Sequence, residues 1–371
     1  MQTPLWRRLD PWLLLVVLAL VGYGLVLIHS ATYLPEESGR WPLSSWAMRQ
    51  GLYAVLGLTA MGVLAFVDYR WYRHLAYPLY VASLLALALA LVLGHGQEDY
   101  GAQRWLGLGP IAVQPSEPAK LFLILALARF FGDSPGEAPS LTRILASLTL
   151  VGLPVGLVYL QPDLGTALAF LAIWAGVVLM AGTRFLYLLG LGFTSVLAAP
   201  LVWFSLRDYM RQRVLIFLHP ESDPFGAGYN ILQAKISIGS GGLWGRGLMN
   251  GTQTQLRYLR VAHSDFIFSV LAEELGLVGV LALFALLLLL IFRILHVAER
   301  ARDDFGRLTA AGVATMLGFQ AVVNVGANLT LLPVAGIPLP FISSGGSALI
   351  TNLAALGIVQ SVLLYRLRFR Y

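Results

Sequence analysis

The sequence predicts an all-α polytopic membrane protein: about ten transmembrane helices, both termini cytoplasmic, and one long extracellular loop with short re-entrant or interfacial helices. Three observations predict it. Hydrophobic residues fill 58% of the 371 positions and charged residues only 12%, against roughly 25% charged in soluble domains. Mean hydropathy is +0.74. Apolar runs recur from end to end, many near the ~20 residues that a bilayer crossing needs, so residues 1–371 read as a single integral-membrane domain.

The runs lie at 11–29, 46–67, 74–94, 117–131, 143–160, 164–182, 185–205, 266–293, 307–331 and 347–365. Pro11 to Ile28 is long for a signal-peptide core and reads as an uncleaved first span. The fourth run is short, and Pro118 sits in its first turn, where proline is tolerated. The eighth opens with HSDFIFSVLAEELG, His263 to Gly276, and continues into LVGVLALFALLLLLIF as one helix. Asp265 stands at its mouth, and Glu273 and Glu274 follow ~12 Å further in at ~1.5 Å per residue. Carboxylates at a bilayer edge need a reason.

Orientation comes from the short loops. With the N-terminus inside, the inner segments hold fourteen arginines, from Arg7 and Arg8 to Arg366, Arg368 and Arg370, and the short outer loops hold Arg40, Arg49, Arg104 and Lys120. The remaining basic residues fall in a long outer segment, 206–265, which the rule does not cover. No fixed-period or inverted repeat is visible.

The absence of cysteine excludes disulfides, thiolate metal sites and a cysteine nucleophile. Lys120 and Lys235 are the only lysines. The pI of 9.6 points to anionic lipid and phosphate. No basic stripe interleaved with aromatics marks a nucleic-acid surface, so no nucleic acid is expected as partner.

Polar residues gather in three outer stretches, 95–120, 206–265 and 332–347. In RWLGLGPIAVQPSEPAK, Glu117 and Lys120 are three apart at a helix start and share a face. They read either as a capping arrangement behind Ser116 or as a membrane-embedded cation with its carboxylate. In QPDLGTA, Asp163 suits the N-cap of the next helix. GSGGLWGRG, 239–247, sets five glycines around Arg246; such backbone either approaches an anion or forms a re-entrant loop. His263, Ser264 and Asp265 have the residue types of a hydrolase triad, but three adjacent residues cannot meet as one. Asp265 reads as an N-cap of the eighth span or as a reacting carboxylate. Glu273 and Glu274 read as a buried pair satisfied by other helices. In LPVAGIPLPFISSGGS, Ser343 and Ser344 bring hydroxyls and amides to a helix N-terminus, which attracts anions; the alternative is an ordinary loop.

Taken together, QPSEPAK (114–120), QPDLGTA (161–167), GTQTQLRYLRVAHSDFIFSVLAEELGLVG (251–279) and GIPLPFISSGGSALITN (336–352) resemble the shape, elongation, division and sporulation (SEDS) family. The HSDFIFSVLAEELG stretch is more similar to its elongation branch, RodA, than to its division branch, FtsW. The resemblance implies a ten-span peptidoglycan glycosyltransferase of cell elongation and rod-shape maintenance, a hexosyltransferase using an undecaprenyl-diphosphate-linked donor. It would polymerise lipid II at the outer face of the bacterial cytoplasmic membrane, beside a class B penicillin-binding protein. The family's essential aspartate falls on Asp265, and its glutamate and lysine of the fourth span on Glu117 and Lys120.

That chemistry requires a sugar 4-hydroxyl to attack an anomeric carbon as a diphosphate leaves. Asp265 is the candidate general base. Lys120, Arg104, Arg246 and Lys235 are candidate cations for the developing charge. Gln114, Glu117, His263, Ser264, Ser343 and Ser344 complete the expected substrate-binding set. An inverting displacement needs one base, whereas a retaining one would want a second carboxylate nearby. Glu117 is expected to hold Lys120 instead. No cofactor is required by the residues; a divalent cation, Mg2+ or Mn2+, stays open.

Two other functions compete, a lipid II flippase and a non-catalytic scaffold for the penicillin-binding protein. The span interiors are apolar apart from Glu273, Glu274 and amides such as Gln320, Asn324 and Asn328, which disfavours a transport path. Both lysines lack the S-x-x-K motif of a cross-linking enzyme, with Glu117 and Leu232 three positions ahead. Ala311, Thr315 and Gly318 share a face of the ninth span, which serves either as a surface for a partner's helix or for packing inside the bundle.

Overall fold

The computed structural model describes residues 8–33, 44–94, 104–108, 111–133, 138–206 and 208–367. Arg7, Arg40, Arg368, Arg370 and positions 95–103 of the first outer stretch lie outside them. Thirteen helices occur among the described residues: α1 (Pro11–Thr32), α2 (Ser45–Phe66), α3 (Tyr69–Leu93), α4 (Ser116–Gly132), α5 (Leu141–Leu160), α6 (Leu164–Met180), α7 (Phe185–Ser205), α8 (Asp208–Leu218), α9 (Ala227–Gly241), α10 (Thr252–Gln255), α11 (Ile267–Glu299), α12 (Asp304–Asn328) and α13 (Gly346–Leu364). A short antiparallel ladder, β1 (Leu106–Leu108) with β2 (Ile111–Val113), precedes α4.

Each of the ten expected runs holds a helix. Seven, α1, α2, α3, α5, α11, α12 and α13, are long and apolar enough to cross a membrane; α6 and Phe185–Ala198 of α7 are apolar but shorter. The protein is an all-α polytopic membrane protein. Helices α8, α9 and α10 are the short helices expected in the long loop.

Burial sorts the bundle. In α13, 83% of the most apolar window is buried and in α12 67%, against 28% in α2, α3, α5 and α11. A helix that is apolar all round belongs inside, and α4 is likewise buried along most of its length. Lipid offers no hydrophobic drive between helices, so small residues set the approach. A Cβ on Gly357 of α13 would lie 2.6 Å from the Met61 carbonyl oxygen of α2. The small-residue face of the ninth span takes the internal one of its two readings by the same reasoning. Ala311 is buried, and a Cβ on Gly176 of α6 would come 2.5 Å from Thr315 Cγ2. That face is an internal seam between α6 and α12.

Hydrogen bonds tie the helix ends into two faces. One holds both described ends of the chain: Arg293 pairs with Asp10 at 2.5 Å, the Asp10 amide donates to Gln360, Tyr69 donates to Asp303 and Tyr365 to the Phe66 carbonyl. The opposite face gathers 104–108, 111–116, 161–166, 208–266 and 329–345.

The eighth span is not one continuous helix. At Gly276 the backbone turns to φ 62°, ψ −161°, which glycine adopts without a Cβ penalty. A Cβ there would lie 2.7 Å from the Leu243 carbonyl oxygen. The GSGGLWGRG loop is wedged into this break. Leu277 and Val278 donate to the carbonyls of Gly242 and Leu243, while Arg246 and Gly247 donate to those of Glu273 and Glu274. The glycines therefore let two backbones meet and satisfy groups that a broken helix would orphan.

Candidate active site

Glu273 and Glu274 anchor that wedge. Glu273 accepts from the Gln253 amide at 2.9 Å and from the hydroxyls of Thr254 at 3.1 Å and Thr252 at 3.2 Å. Glu274 accepts from Ser30 Oγ at 2.6 and 2.7 Å. Both side chains are fully buried, and bonds to charged acceptors are the strong ones. These two carboxylates hold α1 and α10 to α11, and the backbone carbonyls of the same residues hold the Gly-rich loop, which fixes the approach to the short segment before it.

That segment, 263–265, is held from three sides. Asn324 and Asn328, one turn apart on α12, donate to the Asp265 carbonyl at 3.2 and 2.8 Å. Ser343 Oγ donates to the Ser264 carbonyl at 2.7 Å. The Ser344 amide donates to the His263 carbonyl at 2.9 Å. The FISSGGS hydroxyl and amide expected to meet an anion instead position the backbone of this segment. Gln50 extends the hold, donating to the Ser343 carbonyl and accepting from the Gly345 amide, both at 3.2 Å.

The Asp265 carboxylate is left almost unengaged. The N-cap reading of it fails: Phe266 occupies the cap position and no side chain bonds the first-turn amides. Its one hydrogen bond comes from Ser264 Oγ at 3.4 Å. Burial pushes its pKa above the ordinary carboxylate value. Arg213 and the Ser264 hydrogen bond pull it down by less, and Asp163 pushes it up slightly. A carboxylate with raised proton affinity and no capping duty is suited to accept a proton.

Asp163 does cap α6, accepting from the Thr166 amide at 3.1 Å and its hydroxyl at 3.0 Å. Arg104 lies 3.5 Å from it and donates to the carbonyls of Gln161, at 3.1 Å, and Pro162. Arg104 is therefore a clamp on the 161–163 turn, with its donors already engaged. Arg213 of α8, which the sequence reading did not single out, is the cation whose field reaches Asp265. It donates to the Val334 carbonyl at 3.1 Å and lies over the Tyr209 ring at 4.7 Å. No local pattern flags it, since RQR in a loop resembles any solvated turn. Asn324 and Asn328 carried a signal in their i, i+4 spacing on an otherwise apolar span.

The remaining expected residues are placed elsewhere on the same face. Glu117 and Lys120 pair at 2.9 Å with 4% and 2% side-chain exposure, a buried couple with Glu117 Oε2 lacking a hydrogen-bond partner. Ser116 does not cap α4; the cap position is Pro115, with no side-chain bond. The couple has no hydrogen bond or ion pair to Asp265. The Gln114 amide donates to Ser347 Oγ at 3.1 Å. Arg246 is exposed and donates to Thr252 Oγ1 at 3.0 Å. Lys235 is exposed on α9 and makes no ion pair among the described residues. His263 stacks against Trp46, centroids 4.3 Å apart, and burial lowers its pKa, so it is neutral near pH 7. Among the described residues no three of His, Asp and Glu gather at one point.

The chain is similar to known proteins over nearly its whole length. A family model described as cell cycle protein, covering FtsW, RodA and SpoVE, matches residues 11–367. The chain belongs to this family. It is 45% identical over 368 residues to the peptidoglycan glycosyltransferase MrdB of Escherichia coli K12, covering 97% of this chain and 94% of that one. It is 39% identical over 368 residues to a probable peptidoglycan glycosyltransferase FtsW of Geobacter metallireducens, covering 96% and 95%. Among solved structures, the rod shape determining protein RodA of Thermus thermophilus superposes with TM-score 0.72 at 36% identity, over 99% of this chain and 100% of that one. A chain from a peptidoglycan synthase complex described as coordinating polymerization and crosslinking reaches TM-score 0.82 at 38% identity, over 97% and 99%.

Proposed function

We propose that this membrane protein is a peptidoglycan glycosyltransferase in which Asp265 is the general base that extends a glycan strand from lipid II. The 4-hydroxyl oxygen of one sugar attacks the anomeric carbon of another. The anomeric carbon–oxygen bond breaks, and the lipid diphosphate leaves with the electron pair. The hydroxyl proton passes to the Asp265 carboxylate. Arg213 stands where it can balance charge beside the base. The observation that carries the reading is a carboxylate free of capping, raised in proton affinity, and fixed through its own backbone carbonyl by Asn324 and Asn328 and through that of Ser264 by Ser343.

A single base with no covalent intermediate supports inversion at the anomeric carbon. Mg2+ is commonly held by one or two carboxylates together with substrate phosphates. Asp163 and Asp265 are the carboxylates on this face that would share such an ion, and none of the steps above depends on it. The arginine-rich face with Arg70, Arg129, Arg293 and Arg307 is assigned to the cytoplasm, which sets Asp265 outside the bacterial inner membrane. With no S-x-x-K motif in the chain, cross-linking falls to a second protein, a class B penicillin-binding protein. The likeness to a chain of a synthase complex supports that partnership.

Purified protein in detergent, given lipid II, tests the enzyme against both the flippase and the scaffold. Polymer without a membrane is expected only of the enzyme. No polymer from folded protein supplied with its partner would overturn the proposal.

A further inference from the structure

The reaction joins two reactants that are both lipid-linked through diphosphate, so it needs two places for anionic headgroups near one base. Arg213 is the cation whose charge reaches that base. On the other side of the 263–265 segment lies an open cavity of about 450 Å³, within the ~300–1,000 Å³ range of ligand pockets.

Its wall is built from the end of α1 and the start of α2 (Thr32, Ser45, Trp46), from Thr254, and from the turn carrying Arg257, Arg260 and His263. Among the described residues no acidic side chain lines it. Arg257 has no hydrogen-bond or ion-pair partner among the described residues. Arg260 makes one long bond, to the Phe225 carbonyl at 3.5 Å, lies 6.0 Å from the Tyr229 ring centroid, and makes no ion pair among the described residues. Two guanidinium groups without carboxylates are free to meet phosphate bidentately.

The turn is shaped to present them. Arg257 and Val261 adopt φ of 58° and 55°, and a left-handed β-branched residue is a strained one. The turn is held by the Gln253 carbonyl, which accepts from Tyr258 and Leu259 at 3.1 and 3.4 Å. Thr254, part of the wall, is itself fixed by Glu273. Trp46, 45% exposed, and His263 add an aromatic wall of the kind on which a sugar packs. The cavity opens where two apolar spans reach the face, the level at which a bilayer-anchored chain presents its headgroup.

We propose that the Arg257–Arg260 cavity holds the diphosphate of the second lipid-linked reactant, with its first sugar against Trp46. This rests on the glycosyltransferase reading. The shared chemistry is a phosphate at the membrane edge, which bulk anionic phospholipid also offers.

The test uses the full chain with three probes: lipid II turnover, binding of a sugar-free polyprenyl diphosphate, and binding to phosphatidylglycerol vesicles. Arg257→Ala with Arg260→Ala should raise the half-saturating lipid II concentration about tenfold, lower the maximal rate less than threefold, and weaken polyprenyl diphosphate binding about tenfold. Arg257→Lys with Arg260→Lys should restore part of both. Unchanged half-saturation and unchanged binding would overturn the proposal. Loss of vesicle binding alone would also overturn it, making the cavity a phospholipid contact. If the alanine pair fails to fold, Arg257→Gln alone is read by the same criteria, since this exposed side chain has no partner to lose. Asp265→Asn separates the two readings: it should abolish polymer but bind polyprenyl diphosphate normally. Polymer from that variant would sink the base, while the cavity would stand or fall on its own binding data.

Discussion

Asp265→Asn is the sharpest perturbation because the structure separates its chemical cost from its structural cost. The carboxylate caps no helix and accepts one hydrogen bond of 3.4 Å from its neighbour Ser264. The amides that fix this residue, from Asn324 and Asn328, bind its backbone carbonyl, which asparagine keeps. Polymerisation should therefore fall by the contribution of a general base, ~10²–10⁴-fold, or about 3–5 kcal/mol at ~1.36 kcal/mol per decade. Stability should move the other way. Burial raises the Asp265 pKa above its ordinary 3.8, so between the two values the folded protein binds more protons than the unfolded one. Folding stability contributed by this group then falls as pH rises through that window. Above that window the buried, ionised carboxylate is a net cost, which asparagine removes. The assay pairs lipid II turnover with thermal unfolding of the same preparation at pH 7. Turnover within threefold of the parent would refute the base. A lost melting transition would refute the claim that Asp265 has no structural duty.

Arg213→Gln removes the cation that lowers the Asp265 pKa, so the acidic limb of the pH–rate profile should move to higher pH; an unmoved limb means Arg213 does not act on the base. Removing one partner of the buried Glu117–Lys120 pair, 2.9 Å apart, should destabilise by ~3–5 kcal/mol, and the double replacement should cost less than the sum, as read by thermal unfolding; strict additivity would argue against a working pair. Gly276→Ala places a Cβ 2.7 Å from the Leu243 carbonyl oxygen at φ 62°, and should lower stability and release the Gly-rich loop to protease; an unchanged digestion pattern would show that the break tolerates a side chain. Glu274→Ala leaves Ser30 Oγ without its acceptor and should cost ~1.5–3 kcal/mol in the same unfolding assay.

The sequence by itself determined the class of the protein, the ten helical runs and the residues from which the site is made. Hydropathy does this because each span must satisfy its own backbone in lipid and bury or expose one continuous apolar stretch. Asp163 as a helix cap and the buried pairing of Glu117 with Lys120 were also legible, since both are contacts within a few residues. Tertiary structure decided everything that depends on which segments meet. Sequence spacing cannot separate an N-cap from an idle carboxylate at Asp265, because the difference lies in where the chain turns at Phe266. It left GSGGLWGRG open between an anion cradle and a re-entrant loop, whereas the loop fills a break at Gly276 more than thirty residues away from its first glycine. It could not decide whether the Ala311–Gly318 stripe docks a partner or packs internally, because a small-residue stripe looks the same whether it meets a partner or α6. Arg213, Asn324 and Asn328 gained their roles only when α8 and α12 closed around 263–265. A side chain's effect on a pKa or a backbone falls off over a few ångströms, and in this chain the residues within that range come from segments far apart in sequence.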